Sequence, residues 1–213
     1  DGQVLPVYIG TNGYWSMDEQ DQKVYDWRAP IASMYYDYEK GEASYRAPDK
    51  EYFGKIVEKK QFDISNGRLH NAVDTDEKIN DMILLDALGK NSGTKMKSVV
   101  ATIQKEQNAL IRNKTAYNLI VDGRAGSGKT VVAMHRLAWL LFNNRKTMSA
   151  DNVMILSPNG IFGDYIAGVL PEVGEDNVPE KEFDSLMEEI LFVDCDYETK
   201  LEQADRITTH PDM

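Results

Sequence analysis

An α/β fold built on a parallel sheet, preceded by a β-rich antiparallel element, is what this sequence predicts, and three observations carry the prediction. The stretch Gly123-Arg124-Ala125-Gly126-Ser127-Gly128-Lys129-Thr130 satisfies the phosphate-binding loop pattern G-x-x-x-x-G-K-[ST] at every fixed position. The apolar run 117–121 before it reads as a buried strand and residues 131–142 after it read as a helix, which is the order strand, glycine loop, helix that such a loop requires. Beyond that helix, residues 152–156 read as a second buried strand and residues 161–170 as a further helix, so the β-α-β order argues for parallel strands. Ordinary amino-acid usage makes a chance match to the loop pattern a matter of less than about 1% in a chain this short.

From the N terminus, residues 1–73 read as β-rich, with candidate strands at 4–9, 23–26, 34–38, 43–45, 53–65 and 68–73. Asn66-Gly67 is the best hairpin turn, because this pair supplies the two positive φ angles of a type I′ turn. Tyr35, Tyr36 and Tyr38 could stack on bases, but beside Met34 they read as the packed face of a strand. The second region, residues 74–213, opens with a helical pattern. Asp74 and Glu77 form a capping box, Ile79, Met82, Ile83, Leu85 and Leu88 give apolar spacing, and Gly89 suits the residue after the last turn. A linker around Asn91-Ser92-Gly93 follows, and Thr102 caps a second helix through Ile103, Leu110 and Ile111. The acidic segment 181–206 reads as helical, although Ile190-Leu191-Phe192-Val193-Asp194 also reads as a strand.

The loop has a definite chemistry. Gly126 and Gly128 let the backbone curl around phosphates so that N–H groups and the positive end of the following helix face the anion. Gly123, Ala125, Gly126, Ser127, Gly128, Lys129 and Thr130 are therefore the expected nucleotide-binding residues. Lys129 and Thr130 are the expected catalytic pair: Lys129 reaches the β and γ phosphates, and the Thr130 hydroxyl ligates Mg²⁺.

Composition narrows the class. The 42% hydrophobic and 28% charged content is that of a globular chain, and no apolar run approaches the roughly 20 residues that span a bilayer. The single cysteine, Cys195, excludes an internal disulfide and fits a reducing compartment, so a cytoplasmic protein without membrane contact is expected. The net charge of −11 resides in the tail: fourteen Asp and Glu stand against three Lys and Arg from Pro171 onward, while residues 1–170 carry 21 of each sign. No basic run marks a nucleic-acid face. His70, His135 and His210 are scattered and suggest neither a metal nor a base.

Several phrases together resemble the HelD branch of the UvrD/Rep-like superfamily 1 helicases, ATP-driven motors associated with bacterial RNA polymerase. They are Tyr8-Ile9-Gly10, Asp26-Trp27-Arg28-Ala29-Pro30 with Tyr35-Tyr36, Thr102-Ile103-Gln104-Lys105-Glu106-Gln107-Asn108 with Ile111-Arg112, the loop itself, His135-Arg136-Leu137-Ala138, and Leu156-Ser157-Pro158-Asn159 leading to Val169-Leu170-Pro171-Glu172. The resemblance implies a RecA-like (1A) domain for residues 74–213, ATP with Mg²⁺ as cofactors, RNA polymerase as partner, and DNA or RNA contact through the full-length protein. It also implies that Gln107 reads the adenine edge, which suits a carboxamide that can both donate and accept. Gln104 is the nearby competitor. Ser157-Pro158-Asn159 resembles the segment that faces a single strand in relatives.

Departures accompany the match. Superfamily 1 motors hydrolyse ATP with an Asp-Glu pair and with arginines from a second RecA-like domain; Asp194, followed by Cys195 and Asp196, is a poor counterpart to the pair. The coiled-coil arm of the family is not legible before the β-rich region. The expectation is therefore a fragment of a longer motor that binds nucleotide with little turnover of its own, since loss of an arginine finger alone costs on the order of 10³ to 10⁵ in rate. Two other classes remain open: a self-contained P-loop small-molecule kinase using Asp194 for Mg²⁺, and a non-catalytic nucleotide-sensing module whose acidic tail docks a basic partner.

Overall fold

The computed structural model describes residues 3–74, 103–191 and 198–209. Strands β1 (Ile9–Gly10), β2 (Tyr14–Ser16) and β3 (Asp21–Asp26) form a small mixed sheet in which β3 lies between a parallel β1 and an antiparallel β2. The strand expected at 4–9 is reduced to its last residue. Val4, Leu5 and Val7 are exposed and Pro6 has no N–H to offer a ladder.

Residues expected as a strand at 34–38 instead form the short helix α1 (Ser33–Asp37) behind a 3₁₀ turn, Pro30–Ala32. Pro30 presets a helical φ at the first position, and Ala32 and Tyr36, four apart, share the buried face that a strand would have split. Tyr35 and Tyr36 meet edge to face at 5.3 Å, so the tyrosines pack against the protein rather than form a stacking platform.

Two hairpins follow. Strands β4 (Gly41–Arg46) and β5 (Glu51–Ile56) pair antiparallel with Tyr45 stacked on Tyr52, and β6 (Lys60–Ser65) pairs with β7 (Arg68–Asp74). The long strand expected at 53–65 is thus broken at 57–59 into β5 and β6. Asn66 and Gly67 adopt φ of 51° and 72°, the two left-handed residues of the expected type I′ turn. The helix expected after Asp74, the linker at Asn91-Ser92-Gly93 and the Thr102 cap lie outside the described residues.

In the second region, α2 (Lys105–Ile111) precedes the loop and α3 (Lys129–Asn143) follows it. Strand β8 (Ile155–Ser157), helices α4 (Gly160–Ala167) and α5 (Val169–Glu172), strand β9 (Glu180–Glu182) and helices α6 (Phe183–Leu191) and α7 (Lys200–Thr209) complete the order. Ile190 and Leu191 end a helix, not a strand, and Asp194 and Cys195 lie outside the described residues. Asn159 caps α4 by accepting from the Phe162 N–H at 3.0 Å.

The strand expected at 117–121 is not formed. Tyr117 and Ile120 are 98% and 92% exposed, and among the described residues no strand pairs with this segment. A central parallel strand exists only when ladders flank it on both edges and helices cover both faces. Parallel pairing among the described residues is limited to β1 with β3 and β8 with β9.

One core joins the two regions. Trp27, Ala32 and Tyr36 from the N-terminal element cluster with Ile103, Ile111, Val132, Ala138, Trp139, Leu141, Leu170 and Val173. The boundary read at residue 73 therefore separates segments that bury their apolar surface against each other. Helix α3 is buried on a wide arc, because Met134 packs against a second cluster with Ile166 and Val169.

Candidate nucleotide site

Gly126 and Gly128 adopt φ of 79° and 81°, the left-handed conformation that glycine alone enters without strain, and Gly128 is the residue that starts α3. At Gly123 a Cβ would stand 2.7 Å from Ser127 Oγ, so a side chain there would turn that hydroxyl aside. The Ser127 N–H donates to the Arg124 carbonyl at 3.2 Å and closes the turn that carries Ala125 at its exposed tip. Lys129 Nζ donates to the carbonyls of Gly123 and Arg124, both at 2.8 Å, so its ammonium spans the loop. Thr130 follows in the first turn of α3. A tight, glycine-dependent turn with an ammonium across it, opening a fifteen-residue helix, fits a phosphate chain through N–H groups, the helix dipole and one mobile positive charge. Among the described residues no cluster of three His, Cys, Asp or Glu could hold a metal.

Gln107 and the loop come together. Its Nε2 lies 3.4 Å from where a Cβ on Gly128 would stand, while its Oε1 accepts from the Gln104 N–H at 3.2 Å. Gln104 is exposed at the cap position of α2. Ser157 is buried at the end of β8, its hydroxyl donating to the Asn159 carbonyl at 3.1 Å.

From the sequence, Asp26-Trp27-Arg28-Ala29-Pro30 reads as a structural corner in which Pro30 ends the strand and Trp27 is buried, and the structure makes this corner the brace between α2 and α3. Trp27 is 0% exposed, donates through Nε1 to the Val173 carbonyl at 3.2 Å and lies edge-on to His135 of α3. Arg28 is gripped by Asp26 through Nε and Nη2 at 2.8 and 2.7 Å; it also reaches the Gly174 carbonyl and Glu175 and stacks on Phe142. Arg112 of α2 donates to the carbonyls of Trp27, Arg28 and Ala29, and burial pulls its pKa below the usual arginine value. From the opposite side, Arg136 of α3 donates to the carbonyls of Leu110, Ile111 and Asn113. Sequence reasoning carried Asn108, Arg112 and Arg136 only inside the phrases of the resemblance and gave them no task, although Asn108 and Arg112 stand one turn apart.

Burial also holds His135 below the ordinary histidine pKa, and its Nδ1–H donates to the Val131 carbonyl at 2.8 Å. His135 is completely buried, with Trp27 against its ring. No helix among the described residues is long and apolar enough to cross a membrane.

The geometry defines a glycine-dependent turn at the start of a long helix, braced by a β-rich N-terminal element. Residues 1–86 match the family described as DNA helicase IV HelD, N-terminal domain. The match covers the Asp26–Pro30 corner and ends before α2 and the loop. No curated protein matches the chain.

Proposed function

We propose that this chain is the ATP-binding part of a superfamily 1 helicase-like motor of the HelD type, comprising the N-terminal element and part of the first RecA-like (1A) domain. In this reading the parent protein is an ATPase that remodels or releases RNA polymerase and nucleic-acid complexes. The observation that carries it is the approach of Gln107 Nε2 to Gly128, which joins an adenine-reading carboxamide to a phosphate-binding loop. The N-terminal match to the HelD domain supplies the family context.

Each residue then has a task. Gly123, Gly126 and Gly128 shape the loop, Lys129 exchanges its two carbonyl partners for β and γ phosphate oxygens, and Thr130 holds Mg²⁺. Gln107 releases the Gln104 N–H and pairs with the adenine edge. Titration of Mg-ATP and Mg-GTP into this chain and its Lys129→Ala variant, with phosphate release followed in the same samples, tests the reading. ATP-selective binding that weakens roughly 10- to 100-fold in the variant, with negligible turnover, is expected. Lys129-dependent turnover by this chain alone would instead favour the self-contained kinase, and binding without base preference would remove the role of Gln107.

A further inference from the structure

We infer that Asn108 is a positioning residue for Gln107, and that its hydrogen bond to Asp37 lets the N-terminal element set the base selectivity of the nucleotide site. This rests on the adenine-reading role proposed for Gln107. Asn108 is the next residue on α2 and is completely buried. Both ends of its amide are committed: Nδ2 donates to Asp37 Oδ1 at 2.7 Å, and Oδ1 accepts from Arg112 Nε at 2.9 Å. Arg112 carries the anchorage onward to the backbone carbonyls of Trp27, Arg28 and Ala29.

At seven residues α2 is too short to be stable by itself, so its place is set by what grips it. Arg136 holds the carbonyls at its C-terminal end. The Asn108–Asp37 bond is the grip nearest Gln107, and it comes from α1 of the N-terminal element. Recognition by a carboxamide is sensitive to displacements of about 1 Å, so loosening this bond moves Gln107 relative to Gly128 without touching the loop. A partner that shifts α1 would alter nucleotide preference by the same route, and nucleotide would alter partner affinity in return.

A polarity swap tests this. Asn108→Asp sets a second carboxylate against Asp37. In the double variant Asn108→Asp/Asp37→Asn the amide and carboxylate exchange places, the hydrogen bond re-forms with reversed direction, and the new carboxylate still accepts from Arg112. Dissociation constants for Mg-ATP, Mg-GTP and inorganic tripolyphosphate are measured on the wild type, both variants and Gln107→Ala. The expected result is that Asn108→Asp loses about tenfold in ATP-over-GTP preference while tripolyphosphate binding is unchanged, and that the double variant regains the preference. A single variant that keeps the preference, or a double variant that binds tripolyphosphate normally yet does not regain it, overturns the inference. If the single variant fails to fold, the double variant decides alone. Preference that survives in Gln107→Ala is a separate failure, that of the adenine-reading role itself.

Discussion

Gly128 is required by its backbone: its φ of 81° is one that side chains rarely adopt, while a Cβ there would meet Gln107 Nε2 at an ordinary contact distance of 3.4 Å. Gly128→Ala is expected to cost about 1–2 kcal/mol in urea unfolding and to weaken both ATP and tripolyphosphate binding. His135 gives a pH signature. Burial lowers its folded pKa below the unfolded value of about 6.5, so the unfolded chain binds a proton that the folded chain refuses. Stability is then fully present above pH 6.5 and is lost as pH falls below it, at no more than about 1.4 kcal/mol per pH unit for one proton. Unfolding midpoints between pH 7.5 and 5.5 should show this slope, and His135→Leu should flatten it. An unchanged slope in the variant would assign the effect to other groups. At this scale the loop glycines and Lys129 were legible from a linear pattern, because each answers to neighbours within a few residues. Asn108 and Arg112 were not, since their partners in the N-terminal element lie 71 and 83 to 85 residues away.

Among the elements, the Asp26–Pro30 corner does the most joining. Arg28 is nearly inaccessible and is shared by Asp26, Glu175 and the Gly174 carbonyl. Removing a buried partner leaves carboxylates uncompensated, so Arg28→Ala is expected to cost about 3–5 kcal/mol by chemical denaturation. Arg28→Lys should recover only part of this, because a point-like ammonium cannot serve the planar Asp26 fork and two further acceptors together. Full recovery by lysine would show that charge alone matters. The Asn66-Gly67 hairpin was readable because its turn geometry is intrinsic to the dipeptide. Helix α1 was misread as a strand because Met-Tyr-Tyr is a short apolar run of either period, and the deciding contact, Ala32 and Tyr36 facing one core, is tertiary.

Over the whole molecule, order follows packing rather than local pattern. Amides of α3, in the shared core, should exchange with solvent near the global unfolding rate, whereas residues 117–121 should exchange almost as fast as an unfolded chain. Slow exchange at 117–121 would reveal a ladder partner for this segment within the chain. Legible along the chain were the glycine loop and its helix, the type I′ turn, the placing of the acidic excess and the resemblance through which Gln107 was singled out. Each of these depends on residues close together in the chain or on a fixed motif. Packing in three dimensions alone sets residues 117–121 outside any strand, with Tyr117 and Ile120 exposed, makes α1 helical, and lets the Trp27–Arg28 corner brace α2 against α3. The physical reason is that a strand needs partners to satisfy its backbone, a short helix needs a face to bury against, and a buried guanidinium needs acceptors gathered from distant segments.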